Sequence, residues 1–148
     1  MIIDSRGEFA DAETLATSTG RALLGDVIDL GAEARDVGEG EQLFLVVQVD
    51  TDVTSAGSAT VEFELVSDAA AAIATDGSAT VHASTGAIDK ADLTAGYQRA
   101  IALPQGSTYE RYVGVISNVG TAALTAGAVN AFLTKNPKGW RAYADATN

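Results

Sequence analysis

The chain has 148 residues, enough for one domain with its own core, and its formal charge of −11 comes from 20 acids set against nine bases. It contains no Cys, which excludes disulfides and thiolate metal sites, and no apolar run approaches the ~18 residues of a membrane-spanning helix. Nine thinly scattered cations make a poor phosphate-neutralising surface, so direct nucleic-acid binding is not expected.

The charge is uneven. Residues 1–52 carry twelve acids against three Arg, a net of −9, whereas residues 135–148 carry Lys135, Lys138 and Arg141 against Asp145, a net of +2. Aromatic residues are 6% of the chain, and much of the 47% hydrophobic content is Ala and Val, which suits a thin sandwich better than a deep ligand pocket. The start, Met1-Ile2-Ile3-Asp4, lacks the basic-then-apolar layout of a secretory signal, so none is expected there.

In chain order, residues 1–25 show no clear period and are read as an N-terminal arm with a short strand and a weak helical turn over 13–19. Residues 26–30 predict a strand ended by Gly31, and 31–41 an acidic, Gly-rich loop. The unbroken apolar run within 42–50 predicts a strand buried on both faces or against a partner. Residues 51–57 read as a turn. Over 60–66 the alternation is clean, placing Val61, Phe63 and Leu65 on a dry face and Glu62 and Glu64 on a wet one. The run Ala69-Ala70-Ala71-Ala72-Ile73 fits a helical turn or a strand equally. Further short strands are predicted over 79–84, 87–93, 99–103, 109–117 and 128–134, with turns at 94–97 and 104–107. About eight short strands with regular turn signals predict an all-β fold, a jelly-roll β-sandwich with N- and C-terminal arms.

Chemistry-bearing residues are sparse. His82 is the sole His, which removes multi-histidine metal sites and reads best as a strand-surface residue. The carboxylate pairs Glu39/Glu41, Asp50/Asp52 and Glu62/Glu64 share i, i+2 spacing, so each sits on one face of an extended segment. A glycosidase needs such a pair across an aromatic-lined cleft, for which the body has few aromatics to spare. Asp50-Thr51-Asp52 offers hard oxygens for a calcium ion but lacks the Gly and distal Glu of an EF-hand loop. Gly38 and Gly40 form no phosphate loop. No catalytic residue, cofactor or metal is expected. The tail is different: Pro137 and Gly139 break regular structure, and Trp140 follows with Arg141 and Tyr143, residue types that concentrate binding energy at interfaces. Trp140 either folds back on its own domain or reaches a neighbouring subunit.

The ordered set Val27-Ile28-Asp29-Leu30-Gly31, Arg35-Asp36-Val37-Gly38-Glu39-Gly40-Glu41 and Leu43 to Thr51 resembles the capsid cement proteins of tailed bacteriophages, typified by the Bordetella phage cement protein family. Leu93-Thr94-Ala95-Gly96-Tyr97, Glu110-Arg111-Tyr112 and the run from Thr125 to Leu133 resemble that family's later segments. The resemblance covers roughly residues 1–135, as a cement domain with its N-terminal arm, and leaves 136–148 as a separate C-terminal tail. It implies a non-catalytic decoration protein that forms homodimers or homotrimers. Made in the host cytoplasm, such a protein would bind the outer capsid surface of the virion and clamp neighbouring HK97-like major capsid protein subunits. The candidate interface comprises Leu43, Phe44, Leu45, Glu39, Glu41, Trp140, Arg141 and Tyr143. The alternative from another class is a carbohydrate- or receptor-binding β-sandwich module of a virion.

Overall fold

Alternation of apolar and polar side chains builds this molecule almost throughout. The computed structural model describes residues 6–31, 37 and 40–138, and within them every regular element is a strand. There are nine: β1 (Glu8–Thr14), β2 (Gly20–Asp29), β3 (Phe44–Thr54), β4 (Thr60–Asp68), β5 (Thr80–Ser84), β6 (Ile88–Asp89), β7 (Gln98–Ala102), β8 (Tyr112–Gly120) and β9 (Ala126–Thr134). They form two antiparallel sheets. One has four strands in the order β1-β9-β3-β7; the other has five, in the order β2-β8-β4-β5, with β6 pairing β4. The inward faces meet in one core: Leu45, Val47 and Val49 of β3 and Val129 and Ala131 of β9 pack against Val61, Phe63 and Leu65 of β4 and Val113, Val115 and Val119 of β8.

The all-β expectation and the positions of most strands hold, and the differences have identifiable causes. Residues 8–14 and 20–29 are two strands rather than an arm with a helical turn. The period is hidden in β1 because its register against β9 shifts twice, between Glu8 and Ala10 and between Ala10 and Glu13. Ala12 sits at φ 48°, and its N–H donates to Asn130 Oδ1 at 2.5 Å. In β2 the register against β8 breaks between Leu24 and Ile28, at Gly25, whose φ is +64°. The strand expected over 87–93 pairs only at Ile88–Asp89. Asp89 then accepts from the Ala91 N–H with its side chain and from the Asp92 N–H with its carbonyl, turning the chain. The turn expected at 51–57 begins later, because β3 stays paired with β9 as far as Thr54.

Residues 69–79 are neither helix nor strand. Asp68 accepts from the N–H groups of Ala70 and Ala74, which folds this segment over the outward face of the five-stranded sheet. There Ile73 and Ala79 join Val66 and Ile116 in a second, smaller apolar cluster, with Leu23, Val27 and Tyr112 at its margin. Gly114 makes the room: a Cβ at that position would lie 2.6 Å from Ile73 Cδ1 and 3.1 Å from Leu23 Cδ1.

Candidate interaction surface

The apolar run singled out in the sequence divides between two sides of β3. Leu45 faces inward and is a core residue, and Leu43 packs half-buried against the same core. Phe44, half-buried, points the other way, between Ala102 of β7 and Thr134 of β9. Gln42 fixes this end of the strand, since its Nε2 donates to the carbonyls of Leu43 (2.9 Å) and Leu103 (2.8 Å). Glu41 carries an exposed ion pair with Lys135 at 2.5 Å, which joins the start of β3 to the segment leaving β9. The remaining candidates, Glu39, Trp140, Arg141 and Tyr143, lie outside the described residues.

The outward face of the four-stranded sheet is drier than its position suggests. Val46 and Phe132 are direct cross-strand partners, 0% and 1% exposed, and the neighbouring Gln48 is 4% exposed. None of the three belongs to the core between the sheets. Gln48 Nε2 donates to Gln98 Oε1 at 3.3 Å, and Gln98 Nε2 reaches the Pro137 carbonyl at 3.4 Å.

The predicted wet face of β4 is only half wet. Glu62 accepts from the Ser84 hydroxyl near the surface, but Glu64 is buried and meets Arg21 of β2, with Nη2 2.6 Å from Oε2 and Nη1 3.3 Å from Oε1. Burial raises the Glu64 pKa, with Glu62 adding to the effect, and the attraction of Arg21 offsets only part of this.

His82 stands beside Ser67, with Nε2 2.7 Å from Oγ, and stacks on Tyr109 at 3.8 Å between ring centroids. Burial lowers its pKa, with Glu110 pulling the other way. Ser67 is fully buried and its Oγ also accepts from the Glu110 N–H, so this Ser–His contact anchors the segment before β8 and gives no substrate access to the hydroxyl.

The Asp50/Asp52 pair does not converge on a shared point. Asp52 Oδ1 accepts from the Ala95 N–H at 2.6 Å, and Asp50 accepts from the Thr51 hydroxyl. Among the described residues no group of three or more His, Asp or Glu is placed to hold a metal ion.

Acidic groups do gather where β1 meets β2. Arg6, Glu8, Asp26 and Asp29 line an open cleft there. Partial burial raises the Glu8 pKa, helped by Asp11 and Asp26. Asp29 is lowered to about 2, chiefly because Arg111 holds it through two 2.9 Å hydrogen bonds. Sequence reading missed this clamp, the Arg21–Glu64 pair and the dry patch at Val46 and Phe132. Each joins residues far apart in the chain, so no local spacing announced them.

The fold and its surfaces define a two-layer, all-β protein whose polar clusters are engaged in holding strands and loops together. A family model matches residues 9–133, all of the two-layer body but the first residue of β1 and the last of β9, and the chain belongs to the Bbp16 family. This placement supports a phage-related virion protein. No curated protein matches the chain.

Proposed function

We propose that this protein is a capsid cement protein: a jelly-roll module that binds the outer surface of a tailed-phage head and ties neighbouring major capsid subunits together without catalysis. The observation that carries the reading is the Bbp16 family match across residues 9–133. The sequence resemblance to the Bordetella phage cement family supplies the role. The strand order supports the jelly-roll assignment, since β1-β9-β3-β7 in one layer is shadowed by β2-β8-β4-β5 in the other.

The physics of the role is multivalency. A clamp that touches two capsid subunits must lose both contacts before either subunit leaves. An oligomeric clamp gains effective concentration at each later contact, worth a factor of about 10²–10⁴ in avidity. A composite site that spans two subunits forms only at their mature spacing, so binding selects the expanded shell of HK97-like capsid protein.

The test uses purified virions and purified protein. Virions are expected to carry the chain in fixed stoichiometry, and heads assembled without it are expected to lose DNA at lower temperature. Added protein is expected to bind expanded shells and spare unexpanded ones. Virions devoid of the chain, or heads equally heat-resistant without it, would overturn the proposal.

A further inference from the structure

We propose that residues 69–79 form a strap that opens and closes on its own while both sheets stay paired, with Ile73 as its plug and Asp68 as its latch. The inference is independent of the capsid reading.

The first argument is how little ties the segment down. Within it Ile73 and Ala79 are buried, Ala74 is half-buried and the other residues are exposed. Among the described residues, no backbone-to-backbone hydrogen bond joins it to either sheet. The connection after β6 is the contrast: Leu93, Gly96 and Tyr97 share backbone hydrogen bonds with Val53 and Val49 of β3. A segment with few buried side chains and no such bonds opens at a lower free energy than the sheets beneath it.

The second argument is that the latch is local. Asp68 Oδ1 accepts from the Ala70 N–H at 3.0 Å, and its Oδ2 from the Ala74 N–H at 2.9 Å. Asp68 is the last residue of β4 and is paired with Tyr112 of β8, so it stays with the sheet when the strap leaves. Further along, Asp76 Oδ1 accepts from the N–H and the hydroxyl of Ser78, a turn closed within the strap itself. Opening therefore breaks two hydrogen bonds and withdraws one large apolar side chain.

The third argument is that the seat belongs to the sheet. Val66 lies on β4 and Ile116 on β8, strands held together by their own ladder, and the notch that takes Ile73 is the missing side chain of Gly114 on β8. Withdrawal of Ile73 joins this seat to Val81, which is 45% exposed and is the cross-strand partner of Val66. The open state thus bares apolar surface, and reburial of Ile73 drives the strap shut.

The chain has no Cys, so a single introduced thiol reports opening against a silent background. Val66→Cys places the thiol in the seat, Ile116→Cys is a second reporter there, and Val115→Cys places it in the core between the sheets. Each is treated with a soluble aromatic disulfide under conditions where labelling is slower than reclosing. The seat thiols are expected to label more than about tenfold faster than Val115→Cys, with little dependence on urea, whereas Val115→Cys depends on it steeply. Val129→Ala, a core change, is expected to speed Val115→Cys and leave the seat thiols unchanged. Asp68→Ala and Ile73→Ala are each expected to speed the seat thiols several-fold; either variant suffices if the other fails to fold. Equal rates and equal urea slopes at seat and core overturn the proposal, as does an equal effect of Val129→Ala on both. Seat labelling unmoved by Asp68→Ala and Ile73→Ala overturns it too, by removing the latch and the plug.

Discussion

Gly25 shows how much one missing side chain decides. A Cβ there would lie 2.0 Å from the Phe9 carbonyl oxygen and 2.9 Å from its carbon, and the φ of +64° is a backbone conformation that L side chains rarely adopt. The obstacle is backbone, which cannot rotate away as a side-chain tip can. Gly25→Ala is therefore expected to cost about 3 kcal/mol or more, read as a fall in the urea midpoint, by forcing β1 off β2. The Arg21–Glu64 pair makes the opposite point, because it is dispensable as a whole and costly to break in half. Arg21→Met leaves the buried Glu64 carboxylate without the attraction that partly offsets its burial, at an expected cost of about 1–3 kcal/mol. Arg21→Met combined with Glu64→Leu removes both charges and is expected to lie closer to the parent in the same titration. A double variant less stable than Arg21→Met would show that the pair itself stabilises the sheet.

Among the elements, β4 was the most legible, and its partners explain where legibility stopped. The alternation of Val61, Phe63 and Leu65 with Glu62 and Glu64 fixed strand and inward face from five residues. It could not show that Glu64 is covered, because its partner Arg21 is 43 positions away in the chain. The residues of β1 have little strand preference, and two register shifts erase the period; pairing with β9 overrides both. Of the candidate interface, Leu45 turned out to be core because a run of consecutive apolar residues in a strand must fill both faces, and spacing alone does not say which side is open. The 69–79 segment was ambiguous for a similar reason: its Ala run carries no period, and Ile73 acquires meaning only from the notch at Gly114. Gly114→Ala closes that notch and is expected to cost about 1–3 kcal/mol. Ile73→Val shortens the opposing side chain, so the double variant is expected to be less destabilised than the sum of the two single changes. Strict additivity in thermal unfolding would show that the loop does not use the notch.

At the scale of the molecule, pH dependence follows from a few buried or clamped groups. His82 has a folded pKa below 6.5, so the unfolded chain takes the proton first. Its contribution to stability is complete above 6.5 and is lost as pH falls towards the folded value. Asp29, Asp68 and Asp76 have folded pKa values below 3.8, so their contributions persist above that value and disappear in stronger acid, for Asp29 as pH passes about 2. Glu64 runs the other way: its folded pKa is raised above 4.5, so its contribution is complete below 4.5 and is lost as pH rises through the folded value. Urea midpoints measured from pH 8 to pH 5 are expected to decline, and His82→Asn is expected to flatten that decline. An equal slope in both proteins would place the titrating group elsewhere.

The pairing of β1 with β9 has a consequence for how the molecule is made. β9 occupies an interior place in its sheet, between β1 and β3, yet it is the last of the described strands to leave the ribosome. Until it emerges, β1 and β3 have an empty slot between them, and each presents an unsatisfied edge to other nascent chains. Synthesis halted before Ala126 would release a polypeptide unable to close that layer, so premature termination yields aggregation-prone fragments rather than a smaller working domain.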